Sequence, residues 1–319
     1  MIKARLLALL PYKFRHKVLK LNAYVSNPKL QRQWHKTFEV QSSPVLLLSL
    51  PRSGSSWLGE VLGQSKEVRY LREPITSIYM AAVKKPVSFF MPSQCKNKVI
   101  YDQAADNAFQ ARLNYVDRAI HSKQRWLNTH EPKKLLIKEI NPLYLETFSK
   151  RYQPRVIYLD RCPYAIAKSF KALNWCASDL FSMRFERTII DQLESVKADI
   201  RTCSFYFQMG FLQGVIKAIV ETQLQLMTSI VVQYERLLLD TPAEIRRIAE
   251  FMNINDVEPI YEYIELSLKK SSSSELGDFS TKRNREELLT RLEQQRKEAD
   301  YEVTIKAYEL GYLEYKKLI

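Results

Sequence analysis

The densest cluster of potential chemistry is Pro51-Arg52-Ser53-Gly54-Ser55-Ser56-Trp57. Three hydroxyls, a glycine and an arginine within five residues are the parts of an anion cradle. Main-chain N–H groups of residues 53–57 at a helix start, together with the helix dipole, can hold negative charge. Ser53, Ser55 and Ser56 add hydroxyl donors, and Arg52 adds a charged fork. The chain has only 7 glycines, so a glycine at this point is informative. The loop has the position of a P-loop but lacks the G-x-x-x-x-G-K-[ST] residues of nucleotide triphosphatases. A serine-rich helix start beside a surface arginine is the plain alternative.

The elements around this loop follow from local patterning. The apolar run at 44–50 reads as a buried strand, and 57–62 has helical spacing, so the order is strand, tight loop, helix. Further short strands are expected at 68–71, 135–138, 155–160 and 229–234. Helices are expected at 142–150, 164–173, 284–298 and 301–309, and 179–228 reads as mostly helical. Thr241, Pro242 and Glu244 form a capping-box pattern in which Thr241 caps the helix that runs through Phe251. Gly311 is expected to stop the last helix. Strands alternating with helices imply an α/β fold of three layers, with a mainly parallel central sheet flanked by helices. Right-handed crossovers would bring loop 51–56 to the carboxyl edge of that sheet, where such folds bind ligands.

The string P-R-S-G-S-S-W-L-G-E-V-L-G-Q after an apolar strand, followed by V-R-Y-L-R-E-P, resembles sulfotransferases that use 3′-phosphoadenosine 5′-phosphosulfate (PAPS). The resemblance is nearest the carbohydrate 6-O branch, with the tyrosylprotein branch next. It is strong over 44–75, recognisable at 134–170 and 229–252, and weak at 271–313. It implies that Arg52, Ser53, Gly54, Ser55, Ser56 and Trp57 form a P-loop-like site for the 5′-phosphosulfate. Arg161 after a strand and Ser169 eight residues on match the family's 3′-phosphate anchors, although Cys162 and Tyr164 replace the aspartate and second arginine of its R-D-P-R pattern. Tyr234 matches a strand-end tyrosine that contacts the nucleotide; a core aromatic is the equal alternative. Ser280, Thr281 and Lys282 resemble a late basic loop over the 3′-phosphate and adenine, or form a solvated basic turn.

Sulfuryl transfer needs a base for the acceptor proton and a cation at the departing phosphate oxygen. The resemblance implies that Glu73 is the base and that Lys138, with Arg52, supplies the cation. The alternatives are a surface carboxylate paired with Arg69 or Arg72, and a strand-end lysine in solvent. Small-molecule members carry a histidine two residues after the lysine; Ile140 stands there, which favours a carboxylate mechanism, and His130 is displaced by ten residues. The implied reaction is direct in-line transfer without metal, with PAP as second product.

Composition sets the frame. The chain has 319 residues, 46% hydrophobic and 26% charged, which excludes a disordered or fibrous class. Lys+Arg outnumber Asp+Glu 49 to 35, a net charge of +14 that favours anionic partners. The four cysteines have no C-x-x-C spacing, and reduced thiols in a cytoplasm fit best. No apolar run reaches a membrane span, and the run at 6–10 is short for a signal peptide. Residues 1–40 are expected as a basic helical segment packed on a single domain at 41–319, with peripheral contact to an anionic membrane as an alternative. The expected partner is a small-molecule or carbohydrate acceptor, not nucleic acid: a hydroxyl of a sugar, glycolipid or natural product. A kinase-like transferase and a non-enzymatic basic module for polyanions or membranes are the competing readings.

Overall fold

The computed structural model describes residues 42–83, 89–111, 133–175, 184–186, 189, 191, 200–268 and 285–318. The expectations for 1–40, for Ser280, Thr281 and Lys282, and for His130 lie outside the described residues.

Five strands form one sheet, β1 (Val45–Ser49), β2 (Val68–Arg72), β3 (Lys134–Glu139), β4 (Arg155–Asp160) and β5 (Ser229–Gln233). All pairings are parallel and the order is β2-β3-β1-β4-β5. The central strands are apolar at nearly every position because both faces are covered. Leu46, Leu48, Ile137 and Tyr158 pack into one core. Val45, Leu47, Leu136 and Ile157 pack into another on the opposite face. The first face carries α2 (Pro74–Val83), α3 (Lys98–Phe109), α4 (Leu145–Tyr152), α5 (Pro163–Ala172), α6 (Phe205–Leu224) and α11 (Ala299–Lys316). The second carries α1 (Ser55–Leu62), α7 (Tyr234–Leu239), α8 (Thr241–Met252), α9 (Glu258–Leu268) and part of α10 (Arg285–Gln295). The three-layer α/β architecture is as the pattern implied. No helix among the described residues is long and apolar enough to cross a membrane.

Three local expectations are corrected. The cap of α8 is Asp240, whose carboxylate accepts from the Ala243 amide at 3.2 Å. Thr241 is already helical and donates its hydroxyl back to Leu237 O at 2.7 Å, while Glu244 pairs with Arg247. Asp is as good a cap as Thr, so a one-residue shift costs little. Gly311 does not stop α11, which continues through Lys316. Its role is close packing: a Cβ there would lie 2.3 Å from Phe211 O of α6, and one on Gly214 would lie 2.0 Å from Tyr308 O. Finally, Tyr234 opens α7 rather than ending β5.

Candidate active site

In an all-parallel sheet every strand delivers its next residue to the same edge. The turn 50–54 after β1, Glu73 after β2, Ile140 after β3, Arg161 after β4 and Tyr234 after β5 therefore meet at one rim. A cleft of ≈ 620 Å³ lies there, and all five strand ends line it.

The turn after β1 is wound by two residues in left-handed geometry, Arg52 (φ 70) and Gly54 (φ 90). Gly54 is the N-cap of α1 and offers no side-chain cap. A Cβ on Gly54 would sit 2.4 Å from Cε2 of Tyr234, so both the backbone angle and the neighbouring ring require glycine. The Ser49 and Ser55 hydroxyls are hydrogen-bonded at 2.7 Å and close the base of the turn. The amides of Trp57 and Leu58 both donate to Gly54 O, at 3.1 and 3.2 Å. Those of Ser55 and Ser56, at the first helical positions, have no acceptor within the helix. Ser56 and Trp57 line the cleft, and the Trp57 indole donates to Ser267 Oγ of α9 at 3.1 Å. The Ser53 side chain does not line the cleft; its hydroxyl is buried with no partner among the described residues.

A cationic corner follows. Arg52 Nε donates to Ser169 Oγ of α5 at 2.8 Å, and Arg161 Nη1 donates to the Arg52 carbonyl at 2.6 Å. The Arg161 guanidinium lies 4.5 Å from the Tyr234 ring centroid. Arg161 lines the cleft, and its Nε is buried without an acceptor among the described residues. A guanidinium at a cleft suits a polyanion such as a phosphate. The substituted Cys162 and Tyr164 make no part of this corner. The Cys162 amide donates to Glu235, and the Tyr164 hydroxyl donates to Glu298 at 2.7 Å.

In the same cleft Glu73 forms an ion pair with Lys138, and Lys138 Nζ also donates to Ser56 Oγ at 3.3 Å. Lys138 is almost wholly buried, whereas a quarter of the Glu73 side chain is exposed. Glu73 pairs with Lys138 and not with Arg69 or Arg72; Arg72 reaches Glu60 at 3.6 Å. Burial pushes the Glu73 carboxyl upward, but the charge and hydrogen bond of Lys138, aided by Arg72, hold it below its ordinary value. Glu73 is thus a carboxylate at neutral pH, beside a cation, in a partly dry cleft.

Residues 42–298 match the family model described as the sulfotransferase domain. The chain belongs to the sulfotransferase family. It is a transferase, and membership implies PAPS as co-substrate. Among solved structures, the sulfotransferase domain from the Synechococcus PCC 7002 olefin synthase is 16% identical to this sulfotransferase, with 86% of this chain and 96% of that one covered and a TM-score of 0.45. Sulfotransferase STF9 from Mycobacterium avium is 14% identical, with 98% and 88% covered and a TM-score of 0.43. Mouse sulfotransferase SULT7A1 complexed with PAP is 16% identical, with 78% and 72% covered and a TM-score of 0.35. No protein of curated function matches the sequence.

The structure of this sulfotransferase also adds residues that the sequence reading missed. Arg291, Gln294 and Gln295 of α10 line the cleft, and Gln295 Oε1 is buried without a partner among the described residues. Their chain position, over 50 residues past β5, carries no motif that would have flagged them. Glu139, next to Lys138, is wholly buried. Two adjacent charges ending an apolar strand were the available signal for it.

Proposed function

We propose that this sulfotransferase moves the sulfuryl group of PAPS to a hydroxyl of a carbohydrate, glycolipid or small natural product, with Glu73 as general base. The observation that carries the reading is the placement of the Glu73–Lys138 pair in one cleft with Arg52, Arg161 and Ser169. Bound PAPS would supply an activated sulfuryl group. Arg161 and Ser169 would hold its 3′-phosphate, and the α1 amides with Arg52 would hold the 5′-phosphosulfate. Tyr234 would face the nucleotide beside Gly54. The acceptor O–H gives its proton to a Glu73 oxygen as the acceptor oxygen bonds to sulfur. The bond from sulfur to the bridging phosphate oxygen breaks, and its electron pair stays on that oxygen. Lys138 and Arg52 neutralise the charge that gathers there. Ile140, Ala172, Leu173 and Trp175 give the cleft an apolar wall. The Trp175 ring, 38% exposed and held edge-on by Phe170 at 5.2 Å, suits stacking on a sugar face.

The test is transfer of label from ³⁵S-PAPS to a panel of sugars, glycolipids and phenolic alcohols. Wild type should label at least one class. Glu73→Gln should lose about 100-fold or more in rate while binding PAP unchanged. Undiminished transfer by Glu73→Gln would remove Glu73 from the base role.

A further inference from the structure

We infer that Glu139 is a positioning residue for Glu73: its buried carboxylate anchors the start of α2 and so fixes the turn that presents Glu73 to the cleft. The inference rests on the reading of Glu73 as base.

Successive residues of a strand face opposite sides of the sheet. Lys138 shares the face of Leu136 and meets Ser56 of α1. Glu139 shares the face of Ile137 and meets α2. Its Oε1 accepts from the amides of Ile75 at 2.7 Å and Thr76 at 3.3 Å, and its Oε2 accepts from the Thr76 hydroxyl at 2.6 Å. Helix α2 begins with Pro74, which has no N–H, and has no acidic residue in its first turn. A carboxylate from a neighbouring strand therefore does the work of an N-cap, at the end of the helix where negative charge is favoured.

Glu73 immediately precedes this anchored turn. It holds φ 51, a left-handed conformation that costs a non-glycine residue energy unless its surroundings fix it. The fixing bonds are Glu73 N to Lys138 O at 2.7 Å, Ser77 N to Glu73 O at 3.0 Å, and those made by Glu139 at residues 75 and 76. β3 thus grips both sides of Pro74, Lys138 by its carbonyl and Glu139 by its carboxylate. Among the described residues, the ionisable groups that interact with Glu139 include Glu73, Lys138, Tyr70 and Tyr101. Burial pushes Glu139 up to about 7, and the nearby Glu73 charge adds to the rise. Ionisation of Glu139 in turn repels negative charge on Glu73 and strengthens it as a base.

The experiment uses water as acceptor: slow PAPS hydrolysis to PAP is followed for wild type, Glu139→Gln, Glu73→Gln and the double variant, with PAP affinity measured for each. Glu139→Gln should slow hydrolysis about tenfold with PAP affinity intact. It should also abolish a rise in rate through pH 7 that wild type shows. The double variant should be no slower than Glu73→Gln, because Glu139 acts through Glu73. Multiplying losses in the double variant, or an unchanged pH profile in Glu139→Gln, would overturn the inference while leaving Glu73 as base. A Glu73→Gln variant of normal rate would overturn the base reading and this one with it. If Glu139→Gln gives no folded protein that binds PAP, Thr76→Val, which removes one of the three bonds, takes its place in the same cycle.

Discussion

Gly54 and Tyr234 leave no room between them: a Cβ on Gly54 would fall 2.4 Å from the ring. The same ring carries the Arg161 guanidinium 4.5 Å from its centroid. One tyrosine thereby ties the turn after β1 to the strand end of β4. Gly54→Ala must either push Tyr234 away or unwind a turn that needs φ 90. PAP affinity should fall about tenfold or more in calorimetric titration, with secondary structure unchanged by circular dichroism. Wild-type affinity in this variant would mean that the turn does not shape the nucleotide site.

Arg161 and Ser169 should bear mainly on the 3′-phosphate, although Arg161 also donates to the Arg52 carbonyl and Ser169 accepts from Arg52. Arg161→Ala removes charged donors, each worth about 1.5–3 kcal/mol, so PAP should bind at least tenfold more weakly. Binding of 5′-AMP, which lacks the 3′-phosphate, should weaken less than that of PAP. Ser169→Ala should show the same selectivity with a smaller loss. Equal losses for both ligands would place Arg161 elsewhere on the nucleotide.

Glu139 should leave a mark on stability. Its carboxyl is raised in the folded protein to about 7 from an ordinary 4.5. The unfolded state therefore loses this proton first. Stability is fully present below about pH 4.5, declines as pH rises, and levels off above pH 7. The span corresponds to a loss on the order of 3 kcal/mol. Glu73 runs the other way: lowered in the fold, it adds stability above its unfolded value that is lost as pH falls through its folded one. Melting curves from pH 5 to 8 should fall more steeply for wild type than for Glu139→Gln. Parallel curves would count against the buried, raised carboxyl.

The α6–α11 contact should tolerate no added side chain. Gly214→Ala would place a methyl 2.0 Å from Tyr308 O, and overpacking of this kind costs about 1–3 kcal/mol. Urea unfolding should show that loss, while PAP affinity stays at the wild-type level because the helices lie away from the cleft. A variant as stable as wild type would show that the helices part easily.

Much of this arrangement is legible in the residues. Apolar runs at 44–50 and 155–160 read as strands, and the hydroxyl-rich turn after the first reads as one at the sheet's carboxyl edge; both runs form strands of the central sheet. Glu73, Lys138, Arg161 and Ser169 are implied by the family resemblance, and the fold brings all four to one cleft. The cap at Asp240 was missed by one residue because Asp-Thr-Pro offers two good caps in a row. Gly311 was misread because a helix stop and a close helix contact both select glycine, and only the partner helix distinguishes them. Arg291 and Gln295 were invisible because their place at the cleft depends on tertiary packing of α10 on α5 and α7.

The reading of Arg52, Arg161 and Ser169 requires that the cleft hold a nucleotide with both a 5′-phosphosulfate and a 3′-phosphate. Its most direct test is a thermal-shift titration with PAP, set against 5′-AMP and ATP. A ligand at 100 times its Kd adds about 2.7 kcal/mol to folding, which for a chain of this size raises Tm by several degrees. PAP should produce that rise, and 5′-AMP and ATP at the same concentration little or none. Equal shifts for all three, or none for PAP, would contradict that reading.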